Sequence, residues 1–344
     1  MRLIALDLIR FVSALAVVLY HYTARSDSIS FPVLQDFTKF GYLGVPIFFI
    51  ISGYVITLSA KNKSPSEFAI SRFVRLYPTY WIGVLFTAFF VFWIGRNDNS
   101  LIQVIANLTM INSYFGYGDI EGVYWTLLAE LKFYACIYIL ILFKVFDKIR
   151  IWLSIWLSIT FLHLVYQQPF FMGWFISPEY SSFFIAGIAF HLINKEGNNR
   201  FNLFILSSSL VISSIQIFKQ TSNYIPNPDA IDLSISITLI WGFYLLFYII
   251  IKEKISIVKR KLYLILGGIT YPLYLIHNMA GKAIIDNVLN NLPDWLAVSI
   301  TIILMLILSF IIHTVFEKRM SNPIKVKLFY LRDKIIKHSK LKKA

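Results

Sequence analysis

Ten runs of about 20 mostly apolar residues follow one another along this chain, and that repetition restricts its fold more than any other feature. They fall at 4–23, 41–60, 77–95, 122–143, 151–167, 179–194, 201–218, 231–251, 262–281 and 295–316. A backbone inside lipid must satisfy its own N–H and C=O groups, so segments of this length predict helices. The expected fold class is therefore all-α: a polytopic integral membrane protein with about ten transmembrane helices. Composition agrees, since 58% of residues are apolar and 15% charged, against about 25% charged in soluble domains. The stretch 101–117 is apolar but broken by Asn107, Asn112 and Gly116. It reads as a loop or re-entrant segment near one interface.

The net charge of +14 could suggest a nucleic-acid partner, but its distribution points to topology instead. With the N-terminus inside, 25 of the 32 lysines and arginines fall on the cytoplasmic side. Five (Arg25, Lys39, Arg96, Lys219 and Lys282) fall on the other, and Arg10 and Lys132 lie within spans. This asymmetry predicts that both termini are cytoplasmic. Asp7 and Arg10 interrupt the first apolar run and no small-residue cleavage site follows, so it reads as a retained span, not a signal peptide. The expected organisation is a transmembrane domain over 1–322 and a basic cytoplasmic tail over 323–344, against anionic headgroups. A lone cysteine, Cys136, permits no intrachain disulfide and reads as a small apolar residue of a span.

Ionisable residues are costly within lipid and usually face protein or a cavity. The first span holds Asp7, Arg10 and His21. Arg10 and His21 are eleven residues apart, which on a regular helix leaves them about 20° apart around the axis and about 16 Å along it. A polar stripe of this kind calls for a cavity, and histidine is suited to acid–base work near neutral pH. Asp7, one turn before Arg10, can neutralise it. After the second span, Arg72 and Arg75 are three residues apart in a loop just before the next helix, a spacing that lets both guanidinium groups fork onto phosphates. In the second span Pro46 should kink or loosen the helix, while Ser52 and Gly53 allow close packing. Glu130 lies about eight residues below the outer end of the fourth span, too deep to snorkel easily, and needs a partner or a proton. Lys132 points to a different face. His277 reads either as a polar handle for packing or as a site residue, and His163, His191 and His313 read as interfacial. No H-E-x-x-H, G-x-S-x-G or Walker pattern occurs, which removes zinc hydrolases, ordinary serine hydrolases and P-loop ATPases; no metal is expected.

Taken in order, these pieces resemble acyltransferase family 3, which includes membrane O-acyltransferases of bacterial surface polysaccharides. Asp7, Arg10 and His21 are similar to the family's first-span pattern. Gly44-Val45 through Ser52-Gly53-Tyr54 resembles its second motif, although Pro46 stands where relatives often have Asp. Arg72-Phe73-Val74-Arg75 matches its R-x-x-R pair, and Trp125-Thr126-Leu127 with Glu130, Phe133 and Tyr134 its W-[ST]-L-x-x-E-x-x-F-Y block. Leu131 and Lys132 depart from the Glu and Gln of many relatives. Tyr271 to His277, and Glu317 to Pro323 more loosely, resemble the last two blocks, so the likeness covers about 5–325.

The resemblance implies a protein of the bacterial cytoplasmic membrane that moves an acyl group, acetyl by expectation, from cytoplasmic acyl-coenzyme A to a hydroxyl of an extracytoplasmic glycan or lipid-linked sugar. Arg10, Arg72 and Arg75 would hold the donor. His21 would act as base or as acyl carrier, and Glu130 would orient the imidazole or bind the acceptor. Asp7, Ser52, Trp125, Tyr271 and His277 would bind substrate or support the site. The esterase-like domain fused to some relatives is not expected. The rival reading is a transporter or flippase for a polysaccharide or lipid-linked intermediate, which uses the same intramembrane charges; no inverted repeat supports it. The acceptor sugar and the oligomeric state are not readable from the sequence.

Overall fold

A computed structural model describes residues 4–26, 28–94, 100–166, 176–252 and 261–341. The cations counted at Arg2, Arg96, 253–260, Lys342 and Lys343, and the ends of the expected spans at 95 and 167, lie outside the described residues. Among the described residues there is no strand, and each of the ten apolar runs falls on a helix.

The first is α1 (Ile4–Leu19), prolonged by one π-helical turn over Tyr20–Ala24. A short α2 (Pro32–Thr38) and a 3-10 turn lead into α3 (Gly44–Ala60). Then come α4 (Pro65–Trp93), α5 (Leu101–Asn107), α6 (Tyr124–Leu142), α7 (Ile149–Tyr166), α8 (Pro178–Glu196), α9 (Arg200–Tyr224) and α10 (Ala230–Lys252). The last four are α11 (Lys261–Ile276), α12 (Asn278–Asn287), α13 (Asp294–Ile311) and α14 (Lys318–Leu341), with a second π-helical turn, Ile312–Glu317, before α14. Among the described residues, eight segments are long and apolar enough to cross a membrane; α8 is not among them and α11 is apolar but shorter. α8 carries Ser181, Ser182, His191 and Asn194, and every residue from Ser181 to Ile193 is buried, so protein, not lipid, surrounds it. It lies directly against α3, where a Cβ at Gly187 would collide with the Ile50 carbonyl oxygen and one at Gly53 with that of Phe184. Peripheral helices show the opposite pattern, with Phe204, Val211 and Phe218 of α9 and Trp241 and Leu245 of α10 exposed, as lipid-facing surfaces require.

Three expectations change in detail, and one open alternative is narrowed. Pro46 does not kink α3, because the helix begins at Gly44 and a proline in the first turn gives up no intrahelical bond. The arginines at 72 and 75 are not in a loop. A capping box, with Ser64 accepting from Glu67 N–H and Glu67 returning to Ser64 N–H, starts α4 at Pro65 and makes them part of a rigid helix. The span expected over 262–281 breaks at His277 into α11 and α12. Finally, the segment after Ser100 descends beside α4. Tyr77, Tyr80 and Trp81, midway along α4, donate to the carbonyls of Thr109, Asn107 and Leu108 at 3.0, 2.6 and 3.0 Å. These contacts lie 12 to 16 residues before Trp93, roughly 18–24 Å along the helix. Of the two readings of 101–117 this path fits the re-entrant one, and Met110, at φ 65°, turns the chain at its deep end.

Candidate active site

A cavity of about 870 Å³ opens among α1, α3, α4, α6, α11 and the start of α14. Its lining includes Arg10, Ser52, Arg72, Arg75, Glu130 and Tyr271, so six of the residues singled out from sequence meet in one space. Arg10 has neither a hydrogen bond nor an ion pair with any described residue, and its nitrogens are not among the sealed, unpartnered atoms; they face the cavity. Glu130 accepts from the Ser52 hydroxyl and from the Tyr134 hydroxyl, the latter at 2.5 Å.

The two arginines of α4 do not act as one fork. Arg75 forms an ion pair with Glu317, whose other oxygen meets His313 Nδ1 at 2.9 Å. Arg72 instead lies over the rings of Phe68 and Tyr134, 5.9 and 5.8 Å from their centroids. Asp7 does not pair with Arg10; it is buried against Gly267 of α11, where even a Cβ would have no room. Tyr271 supports α4 by donating to the Leu76 carbonyl at 3.1 Å.

His21 does not line this cavity. It sits in the π-helical turn that ends α1, where Arg25 N–H reaches back to the Tyr20 carbonyl at 2.9 Å. Such turns insert a residue into the helical phase and recur at functional sites. Its ring faces that of His277, with centroids 5.3 Å apart. His277 is fully buried, and its Nδ1 lies 2.9 and 3.2 Å from the carbonyls of Tyr274 and Leu273. Carbonyls only accept, so Nδ1 carries the proton and Nε2 presents a lone pair. That Nε2 and the Nδ1 of His21 are both buried without a partner in the structure, a rare condition that needs an explanation. Tyr22 fixes the break at His277 by donating to its carbonyl at 2.5 Å.

Tyr274 links the two regions. It lines the cavity, its ring lies 5.7 Å from that of His277, and its hydroxyl is 3.0 Å from Thr126 Oγ1. Glu130 makes no contact with His21, so it does not orient that imidazole; it belongs to the arginine side. Trp125 lies in neither region and packs on Tyr180 at 4.9 Å. His191 and His313 are buried, not interfacial, at 7% and 8% exposure.

Sequence reasoning missed Glu121. This carboxylate is fully buried and accepts from Met279 N–H at 3.0 and 3.1 Å, at the start of α12. Its place at the edge of an apolar run made it look like a loop residue. Among the described residues no cluster of His, Cys, Asp and Glu could hold a metal ion.

Fold and site together define a multi-pass helical membrane protein with a cation-lined cavity beside a pair of facing histidines. The chain matches the family described as an acyltransferase domain over residues 3–314, and it belongs to that family, as its motifs suggest. Among curated proteins it is 28% identical over 153 residues to Nodulation protein 10 of Rhizobium leguminosarum bv. viciae, covering 37% of this chain and 41% of that one. It is 32% identical over 144 residues to an O-acetyl transferase of Shigella phage Sf6, covering 37% and 43%. It is 26% identical over 145 residues to Acyltransferase MdmB of Streptomyces mycarofaciens, covering 39% and 38%. The matched part thus spans less than half the length of each of these relatives. No solved structure matches the chain.

Proposed function

We propose that this protein is an O-acyltransferase of the bacterial cytoplasmic membrane that transfers an acyl group, acetyl in the first instance, from cytoplasmic acyl-coenzyme A to a hydroxyl of an extracytoplasmic glycan or lipid-linked sugar. The observation that carries the reading is the meeting of Arg10, Arg72 and Arg75 in one cavity whose wall, at Tyr274, touches the histidine pair. The family and the relative named an O-acetyl transferase support the reaction type. The charge asymmetry supports donor entry beside Arg72 and Arg75.

The donor's phosphates sit among the arginines, and its thioester arm extends past Arg10 toward Tyr274. Movement of the Tyr274 ring lets the thioester carbon reach His21. An imidazole nitrogen of His21 takes the proton of the acceptor hydroxyl while its oxygen attacks that carbon. The C–S bond breaks, an ester forms, and the thiolate leaves and takes up the proton as coenzyme A thiol. His277 Nε2 stabilises the protonated His21. Glu130, held by Ser52 and Tyr134, faces Arg10 across the cavity and sets its place.

The test is ester formation by purified protein given labelled acetyl-coenzyme A and candidate glycans. His21→Ala should lower turnover about 10²–10⁴-fold, the usual worth of a positioned acid or base, in protein that remains monodisperse. Undiminished transfer by that variant would overturn the role of His21. Glycan movement without ester formation would overturn the reaction.

A further inference from the structure

The cavity mouth carries cations that the sequence motifs do not include. Lys63, in the short link between α3 and α4, and Lys325, on α14, line it together with Arg72. Lys63 Nζ and Arg72 Nε both approach the Ser71 hydroxyl, at 3.5 and 3.4 Å. Burial, together with the charges of Arg72 and Lys325, holds the Lys63 amine below the ordinary lysine range. Among the described residues no carboxylate forms an ion pair with any of the three. The carboxylates of the neighbouring segments are engaged elsewhere: Glu317 with Arg75 and His313, Glu67 with Ser64 and Arg332, and Glu130 with Ser52 and Tyr134. The Arg332–Glu67 pair, at 3.3 Å, also ties α14 along α4, so Lys325 is carried on an anchored helix.

Three like charges gathered around one space repel each other unless an anion of matching charge joins them. A phosphate monoester carries close to two negative charges at neutral pH and offers three acceptor oxygens, whereas each phosphate of an internal diphosphate bridge carries one. We propose that Lys63, Arg72 and Lys325 form a subsite for a phosphate monoester, the group by which coenzyme A differs from its 3′-dephospho form. The proposal rests on acyl-coenzyme A being the donor. It makes α14 part of the donor site and leaves Arg75 and Arg10 for the rest of the molecule.

Binding of coenzyme A and of 3′-dephospho-coenzyme A to the full-length protein in detergent tests this, alongside transfer from their acetyl thioesters. The wild type should prefer the phosphate-bearing ligand by tenfold or more. The Lys63→Gln/Lys325→Gln double variant, altered only at solvent-reached side chains, should bind both alike, with its affinity for the dephospho form unchanged. Equal binding of the two by the wild type, failure to bind either, or a preference that survives in the double variant would overturn the subsite. The functional reading fails separately: preferential binding without ester formation would retire the acyl transfer and keep the subsite, and ester formation without preference would do the reverse.

Discussion

A buried nitrogen without a partner costs about 1–3 kcal/mol, and the two facing histidines each keep one. That cost is the reason to treat His277 as part of the chemistry and not as a packing handle. His277→Gln should lower turnover about 10–100-fold while leaving KM for the acyl donor within twofold, because the arginine cavity lies on the far side of Tyr274. Steady-state kinetics on both substrates check this; a raised donor KM with unchanged kcat would place His277 in donor binding instead. Charged residues within apolar runs, such as Arg10, His21 and Glu130, stand out in sequence because lipid penalises them. The partnership of His277 with His21 does not, since it depends on a helix break fixed by Tyr22, 255 residues away. Glu121 was hidden for a related reason: its closest donor is a backbone N–H at the start of α12, which leaves no mark in a sequence, and the Thr87 hydroxyl beside it comes from a distant helix.

Helices were readable by length and apolarity, since all ten runs fall on helices, but the break at His277 and the π-helical turns were not. Arg10 and His21, about 16 Å apart along α1 by the helical rise, serve different regions: Arg10 lines the cavity, while His21, in the π-helical turn at Tyr20–Ala24, meets His277 at the start of α12. A second π-helical turn, Ile312–Glu317, holds His313 and Glu317, and its ion pair with Arg75 spans 242 residues. No local spacing could predict that pairing. Contact between α3 and α8 sets the frame for these pieces. Gly187→Leu should force the two helices apart and destabilise the protein by about 3 kcal/mol or more, as overpacking does in close-packed interiors. Loss of monodisperse protein on heating, measured by fluorescence-detected size exclusion, checks this. Gly242, with nothing near its would-be Cβ, should tolerate the same change.

For the whole molecule, the distribution of lysine and arginine assigned a direction to the bundle, and the cavity mouth falls on the lysine- and arginine-rich side. After Cys136→Ser, a cysteine at Asn62 or Lys337 should react with an impermeant maleimide only from the cytoplasmic face, and one at Asn290 only from the opposite face. The reverse pattern would invert the donor and acceptor sides. The central claim is that the bundle joins a donor on one face to an acceptor on the other, through Arg10 and the histidine pair. The direct measurement uses proteoliposomes of fixed orientation, with labelled acetyl-coenzyme A on one side and acceptor glycan on the other. The account predicts acetyl ester only when the donor is on the Arg72 side and the acceptor on the His21 side, and its loss with His21→Ala. Ester formed only when both substrates share one face would contradict it.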